Sequence, residues 1–247
     1  MKKYIVYAPH KCGSTIISKI LTDIFNLPEL LLMSQEKTIN NDVGEAKLQF
    51  ERVFNLKKPA NIDFIKDNFI FISRNPIGIT MSMFYSFGYT HSCPQHLTEE
   101  EFNLKRQKIQ KEGLHNYIKN NISRQSTKIQ SFWGLPTTNS KTILPYELMV
   151  SNFSKFLKEL LQALDMTSAY DKTYEKWKGS FGQIEDKSDL IESGKLKTHK
   201  RTTDIYEWKK KLSNEEQGKL LSEFSFIQQY DDFLNKLLQH DNNSNNF

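Results

Sequence analysis

Three short apolar runs divide the chain, each followed by a turn and a helical stripe. Tyr4 to Tyr7 is apolar with a β-branched centre, the pattern of a parallel strand covered on both faces. Pro9 ends it. Ile16, Ile17, Ile20, Leu21 and Ile24 then recur at helical spacing and predict a first helix to about Phe25. Phe69 to Ser73 is the second strand, apolar throughout and so central and parallel. It ends at Arg74-Asn75-Pro76, where Asn75 can cap a helix and Pro76 suits its first position. That helix carries Ile79, Met83 and Phe84 inward and leaves Ser82 on its exposed or cleft side. Thr142 to Glu147 reads as the third strand, with a helix after it through Phe156, Leu160, Leu161 and Leu164.

Between these elements the signals are weaker. Leu27 to Met33 is apolar, a strand or a helix end, and Ser34 to Lys58 is polar and irregular, a segment expected to line a cleft. Asn61 is a plausible cap for a short helix over Ile62 to Ile65. Residues 88–121 are polar, with Thr98 followed by three glutamates as a helix start and Phe102, Ile109 and Leu114 as sparse apolar positions. We expect a helical cap or lid inserted there. Ile122 to Trp133 continues as a helix closed by Gly134 and Pro136. Thr167 to Thr198 reads as loop-rich, and Leu212 to Leu238 as a terminal helix pair carrying Phe224, Phe226, Tyr230, Phe233 and Leu237. No internal repeat is visible. The expected organisation is one domain over 1–240, with 88–121 inserted and a frayed Asn-rich tail over 241–247.

A chain of 247 residues can bury a real core. No apolar run is long enough to span a bilayer. Met1-Lys2-Lys3 resembles a signal-peptide start, but Pro9, His10 and Lys11 interrupt the apolar stretch, so a cytoplasmic protein is expected. Two cysteines, Cys12 and Cys93, make no disulfide framework and are expected as reduced thiols. The formal charge of +5 is too weak and dispersed to indicate nucleic acid, yet it suits an anionic ligand. Lys209-Lys210-Lys211 reads as a solvated helix face before a binding patch.

The candidate chemistry lies between the first strand and the first helix, in Pro9-His10-Lys11-Cys12-Gly13-Ser14-Thr15. Gly13 lets the backbone come close to a ligand. Ser14 and Thr15 suit a helix N-terminus, where free N–H groups and the positive end of the dipole gather. Such a turn is built to hold an anion. Cys12 in this turn reads either as a thiol with a lowered pKa or, more simply, as a small residue that fits. The nucleoside-triphosphate P-loop requires an earlier Gly, and a Lys after the second Gly; here Lys11 precedes Gly13. The order Pro-x-Lys-x-Gly-Ser-Thr instead resembles the 5′-phosphosulfate loop of sulfotransferases that use 3′-phosphoadenosine 5′-phosphosulfate.

Three further stretches carry the same resemblance in the family's order. A strand ending in Arg74-x-Pro76, with Ser82 eight residues after Arg74, resembles the family's 3′-phosphate motif. Arg74 would present a fork of donors to a phosphate and Ser82 would add a hydroxyl; the plainer alternative is an Arg paired with a carboxylate. The third strand, ending in Tyr146-Glu147 with Leu148 next, leads into an amphipathic helix ending in Leu164-Asp165-Met166, and this passage is again similar to the family. Tyr146 could contact adenine or substrate; Glu147 reads as a capping or structural carboxylate. Lys197 to Arg201 followed by Trp208-Lys209 resembles the basic loop and Trp-Lys pair, which makes Lys200 and Arg201 phosphate contacts. The glycines usual in that loop are absent, and Thr202-Thr203-Asp204-Ile205 stand there.

The resemblance implies an α/β fold, a central parallel β-sheet flanked by helices and related to nucleotide kinases. It implies transfer of a sulfuryl group from the phosphosulfate co-substrate to a hydroxyl or amine. Backbone N–H groups from Cys12 to Thr15 would hold the 5′-phosphate, and Lys11 would neutralise the bridging oxygen as its bond breaks. No metal is expected, since no metal-ligand spacing occurs among the six His and two Cys. The acceptor must lose a proton. The family often places a His between the first helix and second strand, and residues 22–75 contain none. Glu45 is the first candidate base, with Glu36, Glu51 and His10 as alternatives; each carboxylate otherwise reads as a solvated surface group. The family's aromatic residue after the anion loop is replaced by Ile16 and Ile17, leaving Phe181 or Tyr146 to meet adenine. Two other classes stay open: a nucleotide or small-molecule kinase, and a catalytically inactive nucleotide-binding protein. Long polar segments around the cleft favour a polar, carbohydrate-like acceptor, a small molecule or glycan.

Overall fold

The computed structural model describes residues 2–27, 35–53, 67–135, 141–181, 186–195, 202 and 204–239. The chain is α/β. Its five-stranded sheet has the order β2-β3-β1-β4-β5, formed by β1 (Lys2–Pro9), β2 (Gln35–Asn41), β3 (Gly44–Val53), β4 (Asn68–Ser73) and β5 (Lys141–Pro145). β1 runs parallel to β3 and β4, and β4 runs parallel to β5; only β2 is antiparallel. Among the described residues ten α-helices accompany the sheet: α1 (Ser14–Ile24), α2 (Pro76–Tyr85), α3 (Glu99–Trp133), α4 (Tyr146–Ser151), α5 (Phe153–Ala163), α6 (Tyr170–Trp177), α7 (Ser188–Glu192), α8 (Glu207–Lys211), α9 (Asn214–Glu223) and α10 (Ser225–Gln239).

The hairpin β2–β3 corrects the reading of Ser34 to Lys58 as irregular. Ala46, Leu48 and Phe50 alternate with polar neighbours and are buried, which is strand period. Two other expectations change. The third strand stops at Pro145, so Tyr146 and Glu147 open a helix; proline fixes its own φ and sets up the helical turn that follows. Thr167 to Thr198 is not loop-rich, because α6 and α7 fall inside it and a 3₁₀ turn flanks α6 on each side. α2 runs directly into a π-helical turn over Ser86–Thr90. The expectations for residues 28–34 and 61–65, for Lys200 and Arg201, and for the tail lie outside the described residues.

The chain forms two compact units. The first comprises Met1–Arg74, Lys128–Phe181 and Phe233–Phe247, and the second comprises Asn75–Thr127 and Gly182–Asp232. The first holds the sheet. Residues three apart on β1 point to opposite faces. On one face the Tyr4 hydroxyl donates to Asp165, just beyond α5. Asp23 of α1 accepts from Lys176 and from the Trp177 indole of α6. On the other face Tyr7 meets Phe69 and Phe71 of β4 and Phe132 of α3, with ring centroids 5.9, 6.0 and 4.3 Å away. Burial of several aromatic rings at once, each worth roughly 1.5–3 kcal/mol, pins α3's last turns to the sheet.

The second unit has its own core. Ile77, Met81, Ile118, Ile122, Trp208 and Ile227 pack together. Asn75 caps α2 by accepting from the Ile77 N–H at 2.9 Å, as the sequence suggested, and Pro76 opens the helix. The Asn75 amide also donates to buried Asp231 at 2.7 Å. Within this unit Gly113, with φ 76 and ψ 159, interrupts α3, so that element is two helical stretches across a kink.

Candidate functional site

β1 is the strand at which the order of the sheet reverses: the chain passes from it to β3 on one side and later to β4 on the other. In open α/β sheets ligands bind beyond the carboxyl ends of strands at such a point. The turn there is Pro9 to Thr15. The Cys12 N–H donates to the Pro9 carbonyl at 3.1 Å and closes it. Lys11 and Gly13 both take left-handed backbone, at φ 68 and 79. Glycine adopts this freely; a lysine does so only where the surroundings hold it. Gly13 is the N-cap of α1, and its carbonyl accepts from Ile16 and Ile17, each at 3.0 Å. Ile17, Ile20 and Leu21 bury the inner side of the helix and fix its direction. The N–H groups of Gly13, Ser14 and Thr15 have no backbone acceptor among the described residues, as at the start of any helix. Ser14 is buried and Thr15 exposed. The expected run of free donors is therefore one shorter: Cys12 uses its N–H inside the turn.

What holds Lys11 is Arg74. Its Nη1 donates to the Lys11 carbonyl at 2.8 Å, and its guanidinium carbon lies 4.3 Å from the centre of the Tyr146 ring. Tyr146 in turn lies against Gly13; a Cβ built on that glycine would meet its Cδ2 at 3.0 Å. Four residues singled out in the sequence, Lys11, Gly13, Arg74 and Tyr146, thus form one cluster. Among the described residues, the contact that places Arg74 is a loop carbonyl and not a carboxylate. One donor braces the loop, and the guanidinium has five.

Cys12 is fully buried. Burial pushes its thiol well above the ordinary range; Arg74 and Lys128 pull it down, Glu147 pushes it up, and burial prevails. That direction favours the small-residue reading over an activated thiolate. The same charges show what surrounds the loop. Glu147 is buried in the first turn of α4, where a carboxylate favours the helix dipole. Lys128 of α3 adds a second cation that the sequence reading missed. It lies four residues before Phe132 and so on the same side of the helix, but nothing local distinguishes it from other lysines of that helix.

The candidate bases separate along β3. Glu45 is exposed and lies one residue before Ala46, which registers with Lys2 at the start of β1. The anion loop follows the other end of β1, so the structure does not bring Glu45 and Lys11 together. Glu51 is 6% exposed and registers with Tyr7, two residues before Pro9. The Gln49 amide donates to its Oε1 at 2.6 Å. Glu36 lies on β2 opposite Gln49. His10 is half-buried in the loop itself. Tyr7 is wholly buried, and its hydroxyl has no hydrogen-bond partner among the described residues.

Of the aromatic candidates for adenine, Phe181 stacks on Phe153 at 4.4 Å and 22°, and Tyr146 carries Arg74 on its ring. Ser82 lies half-buried on α2 of the second unit. Trp208 is buried in that unit's core, and Lys209 lies 3.6 Å from Asp231, so the Trp-Lys pair is anchored structurally. Among the described residues no group of three His, Cys, Asp or Glu is placed to hold a metal ion, and no helix is long and apolar enough to cross a membrane. Compared with protein-family models, with curated proteins and with solved structures, the chain finds no match in any of the three.

Proposed function

We propose that this protein is a sulfotransferase, moving a sulfuryl group from 3′-phosphoadenosine 5′-phosphosulfate to a hydroxyl or amine of an acceptor. The observation that carries the reading is the braced loop. Lys11 stands in left-handed backbone at the carboxyl end of β1, and Arg74 holds its carbonyl. The mostly parallel sheet supports the P-loop, nucleotide-kinase-like arrangement that goes with this reading. The two free thiols, Cys12 and Cys93, suit a reducing cytoplasm.

On this reading the N–H groups of Gly13, Ser14 and Thr15 take the 5′-phosphate at the positive end of α1. Arg74 uses one donor on the loop and offers the others to the 3′-phosphate. For Ser82, Lys200 and Arg201 the same role rests on the resemblance alone. Lys11, and at longer range Lys128, offset the charge that grows on the bridging oxygen. Removing one such contact typically costs about 3–4 kcal/mol in the transition state. The acceptor's proton passes to a carboxylate while its oxygen or nitrogen bonds to sulfur and the old S–O bond breaks toward the phosphate. Glu51, buried beside the end of β1, suits that carboxylate better than Glu45, which stands exposed at the far end of the sheet. No step calls for a metal ion. The acceptor is a small molecule or glycan.

The test is calorimetric titration with 3′-phosphoadenosine 5′-phosphate and, separately, with ATP and magnesium, on wild type and Arg74→Ala. We expect tight bisphosphate binding, weak ATP binding and a loss of roughly a hundredfold or more in the variant, the scale of a charge-assisted contact. Absence of bisphosphate binding removes the sulfotransferase reading, and ATP binding in its place identifies a kinase.

A further inference from the structure

The Tyr7 hydroxyl is a polar group placed where a phenylalanine would fit. Its ring is caged by Phe69, Phe71 and Phe132, and every one of these contacts would survive loss of the oxygen. A buried hydroxyl without a partner costs about 1–3 kcal/mol. Native proteins rarely keep such a group without a use for it.

The strand register shows what lies beside it. Tyr7 and Glu51 are direct partners on parallel strands, so both side chains project from the same face of the sheet. Gln49, two residues earlier on that face, donates to the Glu51 carboxylate. Burial, and then the charge of Glu51, hold the Tyr7 phenol above its ordinary pKa, so it keeps its proton and acts as a donor. Phe132 rests on Tyr7, and Lys128, one turn earlier on α3, is close enough for its charge to act on Cys12. The face that carries Tyr7 and Glu51 therefore leads to the anion loop.

We infer that Tyr7 and Glu51 together receive the reacting group of the acceptor, and that this group is a hydroxyl. The inference rests on the sulfotransferase reading and adds to it a residue, Tyr7, that none of the family-like stretches contains. A hydroxyl satisfies both neighbours at once: it donates its proton to the carboxylate and accepts from the phenol. An amine must be neutral to attack, and its single lone pair is then spent on sulfur, whereas a hydroxyl oxygen has a second one for the phenol. The amine would leave the phenolic proton without an acceptor among three phenylalanine rings. In the transfer, the acceptor O–H proton goes to Glu51 and the acceptor oxygen forms the new bond to sulfur. The S–O bond to the donor's 5′-phosphate breaks, and its electron pair leaves on the phosphate oxygen. Tyr7 keeps its proton throughout and holds the acceptor oxygen by hydrogen bond.

The experiment uses the smallest hydroxyl, water, so that no acceptor need be known. Radiolabelled phosphosulfate donor is incubated at saturation with wild type, Tyr7→Phe and Glu51→Gln, and released sulfate is counted. Propanol and propylamine are then added as a matched pair. Bisphosphate binding is measured on the same three proteins. We expect Tyr7→Phe to bind the bisphosphate like wild type yet release sulfate about tenfold more slowly, the worth of one hydrogen bond at the reacting atom. Glu51→Gln should lose more, and propanol should be sulfated in preference to propylamine. Tyr7→Phe releasing sulfate at the wild-type rate overturns the inference. So does a wild type that binds the bisphosphate but releases no sulfate, or one that prefers the amine. A wild type that does not bind the bisphosphate instead removes the underlying sulfotransferase reading, whatever Tyr7 does.

Discussion

Gly13 shows how tightly the anion loop is specified by single residues. Its φ of +79 is one that a side chain resists, at a cost of about 1–2 kcal/mol. Space resists it too. An added Cβ would lie 2.9 Å from the Met149 Cε, which can swing away, and 3.0 Å from the Tyr146 ring, which cannot move without shifting Arg74. Gly13→Ala is therefore expected to lower stability by roughly 1–3 kcal/mol in a urea titration. It should also weaken binding of the bisphosphate, because Arg74 loses the ring it rests on. An unchanged midpoint would mean that the loop relaxes freely and that its left-handed turn is not a constraint. Lys11 bears the same strain without glycine's exemption, and the Arg74 bond to its carbonyl is the compensation the structure provides.

At the scale of elements, what the sequence announced and what it hid have physical causes. β1 and β4 were legible because both faces are covered and the run is apolar without a break. α2 was legible from Asn75 and Pro76, which act within a few residues of one another. β3 was hidden. Its buried positions, Ala46, Leu48 and Phe50, alternate with Glu45, Lys47, Gln49 and Glu51, and polarity at half the positions masked a strand that lies beside β1. Two groups that the motifs do not contain, Lys128 and Tyr7, became visible only through folding, since strand register and helix packing join residues far apart in the chain. The candidate bases suffered likewise: Glu45 and Glu51 look alike in sequence, and only their positions along β3 separate them. Phe50 of β3 is fully buried. Phe50→Ala should therefore cost about 3–5 kcal/mol of unfolding free energy, as for an aromatic removed from a core. A surface segment, as the polar pattern suggested, would lose less than about 0.5 kcal/mol, and chemical denaturation distinguishes the two.

For the molecule as a whole, two carboxyls make stability depend on pH in opposing directions. Lys2 and then Tyr4 donate to Asp165 and hold its carboxyl below the ordinary range. The unfolded chain therefore binds that proton more readily than the native one, and the stabilisation from Asp165 is lost as pH falls. Asp231 does the reverse. It is 4% exposed, and burial raises its carboxyl despite Lys209 at 3.6 Å and the Asn75 amide at 2.7 Å, with Asp232 adding to the rise. In strong acid Asp231 is neutral in both states and costs nothing. As pH rises past its unfolded value, the unfolded chain ionises first and gains, so native stability falls until the native value is passed. The penalty is then complete and constant. Asp231→Asn keeps the shape and can still accept from Asn75, while Lys209 is exposed enough to keep its hydration. Thermal unfolding of the two proteins across the acid to neutral range should show the variant gaining on wild type as pH rises, then holding its advantage. A variant that loses ground to wild type as pH rises would show instead that the Lys209–Asp231–Asn75 contact stabilises the carboxylate by more than the burial of its charge costs.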